Sequence, residues 1–224
     1  MCIRDSAFHA EELLASGGRS EMPDSLRDVL LAKLATLSAS TLEFVRVASA
    51  GGARVSSALV GAVMGIDQGA REMALREAVE RHVLVASRRA DDERYGFRHA
   101  LVQEAIYNDL LPEERTRLHS AFAHALVDER ARQVSLRAAE IAYHWQAAHD
   151  LPHAFDAWIG AGLAAEALYA FADAHASYER ALDLWDEVPD ASARAPLDRV
   201  DLLVRAAHAA VSYTHLTLPT ILRV

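Results

Sequence analysis

"RYGFRHALVQEAIYNDLLPEERTRLH", residues 94 to 119, passes from an aromatic, strand-like run through His99 straight into an amphipathic helix. Upstream lies a second β-rich run, "VLVASRR" at 83 to 89, and the polar turn "ADDE" between the two predicts a hairpin. A helix is predicted from about 100 to 110, and Pro112 opens another. Proline suits a first turn because the amide it lacks has no partner there anyway, and Glu113 and Glu114 lie where the positive end of the helix dipole favours acids. His99 therefore stands at a strand-to-helix junction.

Working towards the start, residues 8 to 16 read as the end of a helix closed by Gly17 and Gly18, which take the left-handed cap geometry that other residues resist. After a linker, Ser25 with Asp28 gives a capping-box pattern ahead of Leu26, Val29, Leu30, Leu34 and Leu37 at helical spacing. A second helix is predicted over 39 to 50 before Gly51-Gly52, a third over 56 to 64 before Gly65, and a fourth from Asp67 to about His82. Short helices followed by a hairpin and a further helix form a winged-helix pattern. The expected fold is therefore mainly α, with a winged-helix domain carrying one β-hairpin over residues 23 to 130. Winged helices often read DNA through a recognition helix, yet residues 67 to 82 set Asp67, Glu72, Glu77 and Glu80 against Arg71, Arg76 and Arg81. A helix so balanced suits internal packing better than a polyanion.

From about 135 onward the pattern is nearly all helical, with breaks at "HDLP", near Phe171 and at "VPDASARAP". Trp158, Gly162, Ala174, Tyr178 and Ala181 fall on the tryptophan, glycine, alanine, aromatic and alanine positions of the tetratricopeptide repeat. Ala161 and Ala165 occupy slots that prefer larger side chains, and Pro189 comes late. Residues 131 to 210 are expected to form a tetratricopeptide-like array of which one repeat is clear. Small residues let paired helices approach while Trp158 and Tyr178 fill the gaps, a core role before a binding role.

The formal charge of -9 opposes a polyanionic ligand, since duplex-binding domains present a basic face that displaces counterions. No apolar run approaches the length of a bilayer span and no signal segment opens the chain, so the expected location is cytoplasmic. The lone cysteine, Cys2, can build neither a disulfide framework nor a cysteine metal site. Both ends look foreign. Residues 211 to 224 contain Thr214, Thr217 and Thr220, whereas the preceding 210 contain only Thr36, Thr41 and Thr116. "MCIRDS" at 1 to 6 and "SYTHLTLPTILRV" at the end resemble translated sequencing-adapter read-through, the alternative for 211 to 224 being a β-prone tail. Residues 7 to 210 are then expected to be the interior of a longer protein, 7 to 22 being the end of an ATPase lid and a linker.

That assignment comes from a resemblance. "AFHAEELLASGG", "MPDSLRDVLLAKLATLS", "LREAVERHVLVA" and "YGFRHALVQEAIYNDLLPEERTRLHSAFAHAL" resemble the region after the nucleotide-binding core of bacterial STAND-class signal-transduction ATPases, among them the large LuxR-type transcriptional regulators. The likeness runs over residues 7 to 190 and is densest at 94 to 127. It implies a P-loop ATPase domain upstream, a helical lid, a winged helix and a helical-repeat sensor, in a parent that switches slowly by binding ATP and ADP. In relatives, a strand-His-Asp-Leu-helix element places its histidine on the β-phosphate of ADP and holds the closed state. "FRHAL" resembles that element, with His99 in the histidine slot, Leu101 in the leucine slot, and Ala100 where the aspartate would stand. His99 is thus the expected ADP β-phosphate contact, offered to an ATPase domain outside the chain, or else it only caps or packs the helix start. Arg98 is a second, weaker phosphate candidate.

No G-x-x-x-x-G-K-S/T loop occurs, so the chain is not expected to be an enzyme by itself or to bind a nucleotide cofactor alone. His144, His149 and His153 lack a zinc-ligand motif, and no catalytic or metal-ligating residue is expected. Glu11-Glu12 and Glu113-Glu114 are sequence neighbours that diverge around a helix rather than facing one another. The expected role is the regulatory and sensor part of an ATP-dependent regulator. Its partners would be the ATPase domain and an unknown ligand or protein on the repeats, with neither nucleic acid nor membrane engaged. The rivals are a free-standing tetratricopeptide adaptor and a winged-helix DNA-binding regulator.

Overall fold

A computed structural model describes residues 34–86, 94–130 and 137–217. The predicted helix at 8 to 16 and most of that at 24 to 37 lie outside the described residues. The chain is mainly helical with one small antiparallel sheet, and it divides into two compact units between Leu126 and Val127.

In the first unit, α1 (Ala39–Ala50) starts where Ser38 accepts the Thr41 amide and stops at Gly51. Its Phe44, Val45 and Ala48 are buried. A strand, β1 (Arg54–Ser56), leads into α2 (Ser57–Met64), which ends at Gly65 in the left-handed region. Asp67 caps α3 (Gln68–Glu80) by accepting the Ala70 amide at 2.9 Å. The hairpin strands follow as β2 (Leu84–Ala86) and β3 (Arg94–Phe97), then α4 (Ala100–Asp109) and α5 (Pro112–Arg130).

The sheet order is β1-β3-β2, so β1 adds a third strand to the expected hairpin. The sequence pattern predicts a helix from 56 and no strand before it. Three residues, "RVS", of which only Val55 is buried, are too few to show a two-residue period, and their partner lies far along the chain. With β1 in place, the connectivity is that expected of a winged helix.

Glu77 of α3 fastens the start of α1. The Ser38 amide donates to one carboxylate oxygen at 3.0 Å, and the Ser38 and Thr41 hydroxyls donate to the other at 2.6 and 2.5 Å. The Ser38 hydroxyl bond, then those of Thr41 and the Ser38 amide, bring the Glu77 carboxyl down to about 2. A carboxylate depressed on folding stabilises above its unfolded value and loses that contribution as pH falls towards the folded one. Glu77→Gln is therefore expected to lower the thermal midpoint at neutral pH. Its deficit against the wild type should shrink between about pH 4.5 and 2, read by melting curves across that window. Ser38→Ala, which removes the cap, should cost about 1 kcal/mol.

The second unit stacks α6 (Ala138–Ala147), α7 (Leu151–Ala167), α8 (Phe171–Leu184), the short α9 (Ala191–Arg194) and α10 (Arg199–Thr217). The expected breaks occur where residues adopt left-handed backbone: His149, Tyr169 and Asp190. Short turns fold each helix back on its predecessor, and α7 packs on α6, α8 on α7, and α10 on α8. Trp145, Phe155, Trp158, Tyr178, Leu184 and Leu202 are buried among them. The buried Tyr178 hydroxyl donates to Glu166 at 2.7 Å and Arg205 of α10 donates to the same oxygen at 2.8 Å. Tyr178 above all, and Arg205 after it, hold the Glu166 carboxyl below its usual range. Of the compositionally distinct tail, residues 211 to 217 continue α10 as helix rather than forming the β-prone alternative.

Candidate functional site

Two histidines of the opening stretch have opposite surroundings. His119 of α5 is fully buried, and its Nε2 lies 2.9 Å from the Tyr107 hydroxyl. Its position is explained by packing. His99 is exposed, occupies the N-cap position of α4 in extended backbone, and makes no side-chain capping bond. With Ala100 beside it, no carboxylate caps this helix start. Leu101, in the first turn, is 46% exposed, an apolar surface residue next to the histidine.

The sheet determines what else faces His99. Directly opposed residues of antiparallel strands share a face, and alternate residues along a strand do too. Arg54 of β1 and Val85 of β2 both lie opposite Gly96 of β3, so the three form one row. Val55 and Leu84, on the other face, are buried, which makes the Arg54 row the outer one. Arg98 continues β3 two residues past Gly96, and its amide bonds to the Val83 carbonyl at 3.0 Å. A cavity of about 650 Å³ opens over this row, with Ala53, Arg54, Val85, Gly96, Arg98 and His99 on its walls and, among the described residues, no acid lining it. Arg54 and Arg98 are exposed, and among the described residues neither they nor His99 has a side-chain hydrogen bond or ion pair.

No family model matches the chain, and no solved structure matches it. An uncharacterized protein of Rhizobium meliloti (strain 1021) is 29% identical over 149 residues, 66% of this chain. The chain spans 14% of the length of that relative.

Of the residues singled out in the sequence, His99 and Arg98 meet at this cavity. Arg54 was missed. The arginine gives no signal in sequence, because only the pairing of β1 with β3 sets it beside Gly96. The other histidines do not assemble. His144 is buried; His149 sits in a turn; His153 is exposed, stacks on Trp145 at 4.9 Å and bonds to Asp150 at 2.9 Å. Among the described residues no group of three or more His, Cys, Asp or Glu could hold a metal ion. Among the same residues, no helix is long and apolar enough to cross a membrane.

Proposed function

We propose that this chain is the regulatory segment of an ATP-dependent STAND-type switch, and that His99 holds a nucleotide domain closed by contacting a phosphate of bound ADP. The observation that carries the reading is the exposed, unpartnered His99 at a cation-lined cavity, beside an exposed Leu101 suited to an apolar contact with a second domain. The donors fit the group: guanidinium and imidazole N–H groups complement phosphate oxygens, and among the described residues no carboxylate opposes them. A relative of which this chain spans 14% supports a multidomain parent. The segment would act by population shift. A phosphate contact made only in the closed state favours that state by its own free energy, until a ligand or partner on the helical repeats favours the open one.

In the longer protein, His99→Ala is expected to speed ADP release about tenfold or more, the worth of one charge-assisted hydrogen bond, and to raise basal signalling. Stopped-flow release of a fluorescent ADP analogue measures the first. Unchanged release removes His99 from the mechanism.

A second reading, a tetratricopeptide-type adaptor, is favoured by the apolar exposed residues of α10, Val200, Leu203, Val204 and Val211. It assigns no nucleotide to the parent. Absence of ADP binding by the longer protein would select it.

A further inference from the structure

The cavity contains more positive charge than one histidine contact needs. One of its donors, Arg54, comes from β1, a strand that the sequence-based reading of His99 and Arg98 does not include. Arg54 and Arg98 approach the row from β1 and from the end of β3, with Gly96 between them on the same face. Gly96 leaves the space open. A Cβ there would lie 3.2 Å from the Ala53 carbonyl oxygen, so any side chain would crowd the turn before β1, and it would meet Cγ of Arg54 at 3.7 Å, in ordinary contact. The volume, about 650 Å³, leaves room for a group larger than a single ion.

Two arginines brought to one cavity repel each other, and an anion bound between them relieves that repulsion. Elsewhere among the described residues Arg46 pairs with Asp109 and Glu114, Arg194 with Asp156, Arg199 with Asp186 and Arg205 with Glu166, while Arg76 and Arg117, like Arg54 and Arg98, have no acid partner. Among the described residues Arg54 and Arg98 have no such acid, and none lines the cavity between them.

We infer that Arg54 is a phosphate-binding residue, and that Arg54, Arg98 and His99 together form a site on the outer face of the sheet for the diphosphate group of a small molecule. The inference rests on the phosphate reading of His99 and extends it. The winged-helix unit supplies three donors from two strands and a helix start, and it engages the diphosphate without a second domain. Arg54 offers a bidentate fork to one phosphate, Arg98 and His99 face the other, and Gly96 is the floor that keeps them apart.

The test uses the 224-residue chain and inorganic pyrophosphate, followed by calorimetry, with ADP as the second ligand. The wild type is expected to bind pyrophosphate, and Arg54→Ala to weaken it about tenfold or more. Arg54→Lys should recover only part, because lysine keeps the charge and loses the fork. Arg76→Ala removes the same charge from the exposed face of α3 and should leave affinity within about twofold, since screened charges act only over about a Debye length. Melting curves on each variant confirm folding.

Three results with pyrophosphate alone overturn the inference: no binding by the wild type, an unchanged affinity in Arg54→Ala, or an equal loss in Arg76→Ala, which would reduce the effect to net charge. Duplex DNA bound more tightly than pyrophosphate, and lost in Arg54→Ala, would overturn it in favour of a nucleic-acid face. ADP bound more tightly than pyrophosphate by the isolated chain would show that the cavity also holds the nucleoside. The switch reading fails separately. If His99→Ala leaves ADP release in the longer protein unchanged while Arg54→Ala abolishes pyrophosphate binding, the site stands and the switch does not; the reverse pair of results keeps the switch and removes Arg54.

Discussion

Gly162→Ala is expected to destabilise the second unit by about 2 kcal/mol, although alanine is the better helix former. Intrinsic preference alone would favour the alanine by about 1 kcal/mol at a helix-interior position. Packing acts in the opposite direction and is larger. A Cβ at 162 would lie 2.3 Å from Cε1 and 2.5 Å from Cδ1 of Tyr178, distances that real carbon atoms do not adopt. The ring cannot swing away at low cost: it is fully buried, and its hydroxyl is tied to Glu166. Overpacking of this kind costs roughly 1 to 3 kcal/mol, and a contact this short between rigid groups belongs at the upper end. Denaturant unfolding of the single and double variants separates the causes. In a Tyr178→Leu background the ring is gone, and Gly162→Ala should cost far less or become stabilising. If the alanine costs the same in both backgrounds, the glycine is required for some reason other than the tyrosine, and the coupling across α7 and α8 is wrong.

That pair also shows why parts of the molecule were legible in the sequence and others were not. Gly162 and Tyr178 occupy neighbouring helices joined by a short turn, so a repeat pattern with both small and aromatic slots was visible as text. The bounds of α1 were visible for the same local reason: Ser38 caps one end and Gly51 closes the other, within one helix length. The hairpin strands announced themselves through β-rich runs on either side of a polar turn. β1 did not, because a three-residue strand is specified by its partner rather than by its own composition. The candidate site inherits that difference. His99 and Arg98 are adjacent in sequence and could be read together, while Arg54 joins them only through strand pairing. Glu77 is a similar case. It read as one acid among several on a mixed helix, and its attachment to Ser38 and Thr41 depends on how α1 and α3 pack. Local signals fix elements; long-range pairing decides which exposed charges converge.

Phe122→Ala is expected to cost the first unit about 3 to 5 kcal/mol, the range for removing a fully buried aromatic side chain from a packed core. Phe122 of α5 has no exposed surface, and its ring comes within about van der Waals contact of the chain at the end of α1: a Cβ at Gly51 would lie 3.1 Å from its Cζ and 2.6 Å from Cγ2 of Val55. Phe122 thus packs against the turn that leads from α1 into β1, and β1 is the strand that brings Arg54 to Gly96. The cavity left by alanine would be bordered by Gly51, which has no side chain to move into it, so relaxation can recover little of the loss. Two consequences follow from one cause. The melting transition of the first unit should fall well below that of the wild type, and at temperatures where the unit is still folded, amide exchange at Val55 and Tyr95, which face each other across β1 and β3, should accelerate more than exchange within the second unit. Phe122→Leu keeps most of the apolar volume and should restore most of both. Loss of stability without faster exchange in β1 would mean that the ring supports the helices alone, and that the position of Arg54 is held by the sheet itself.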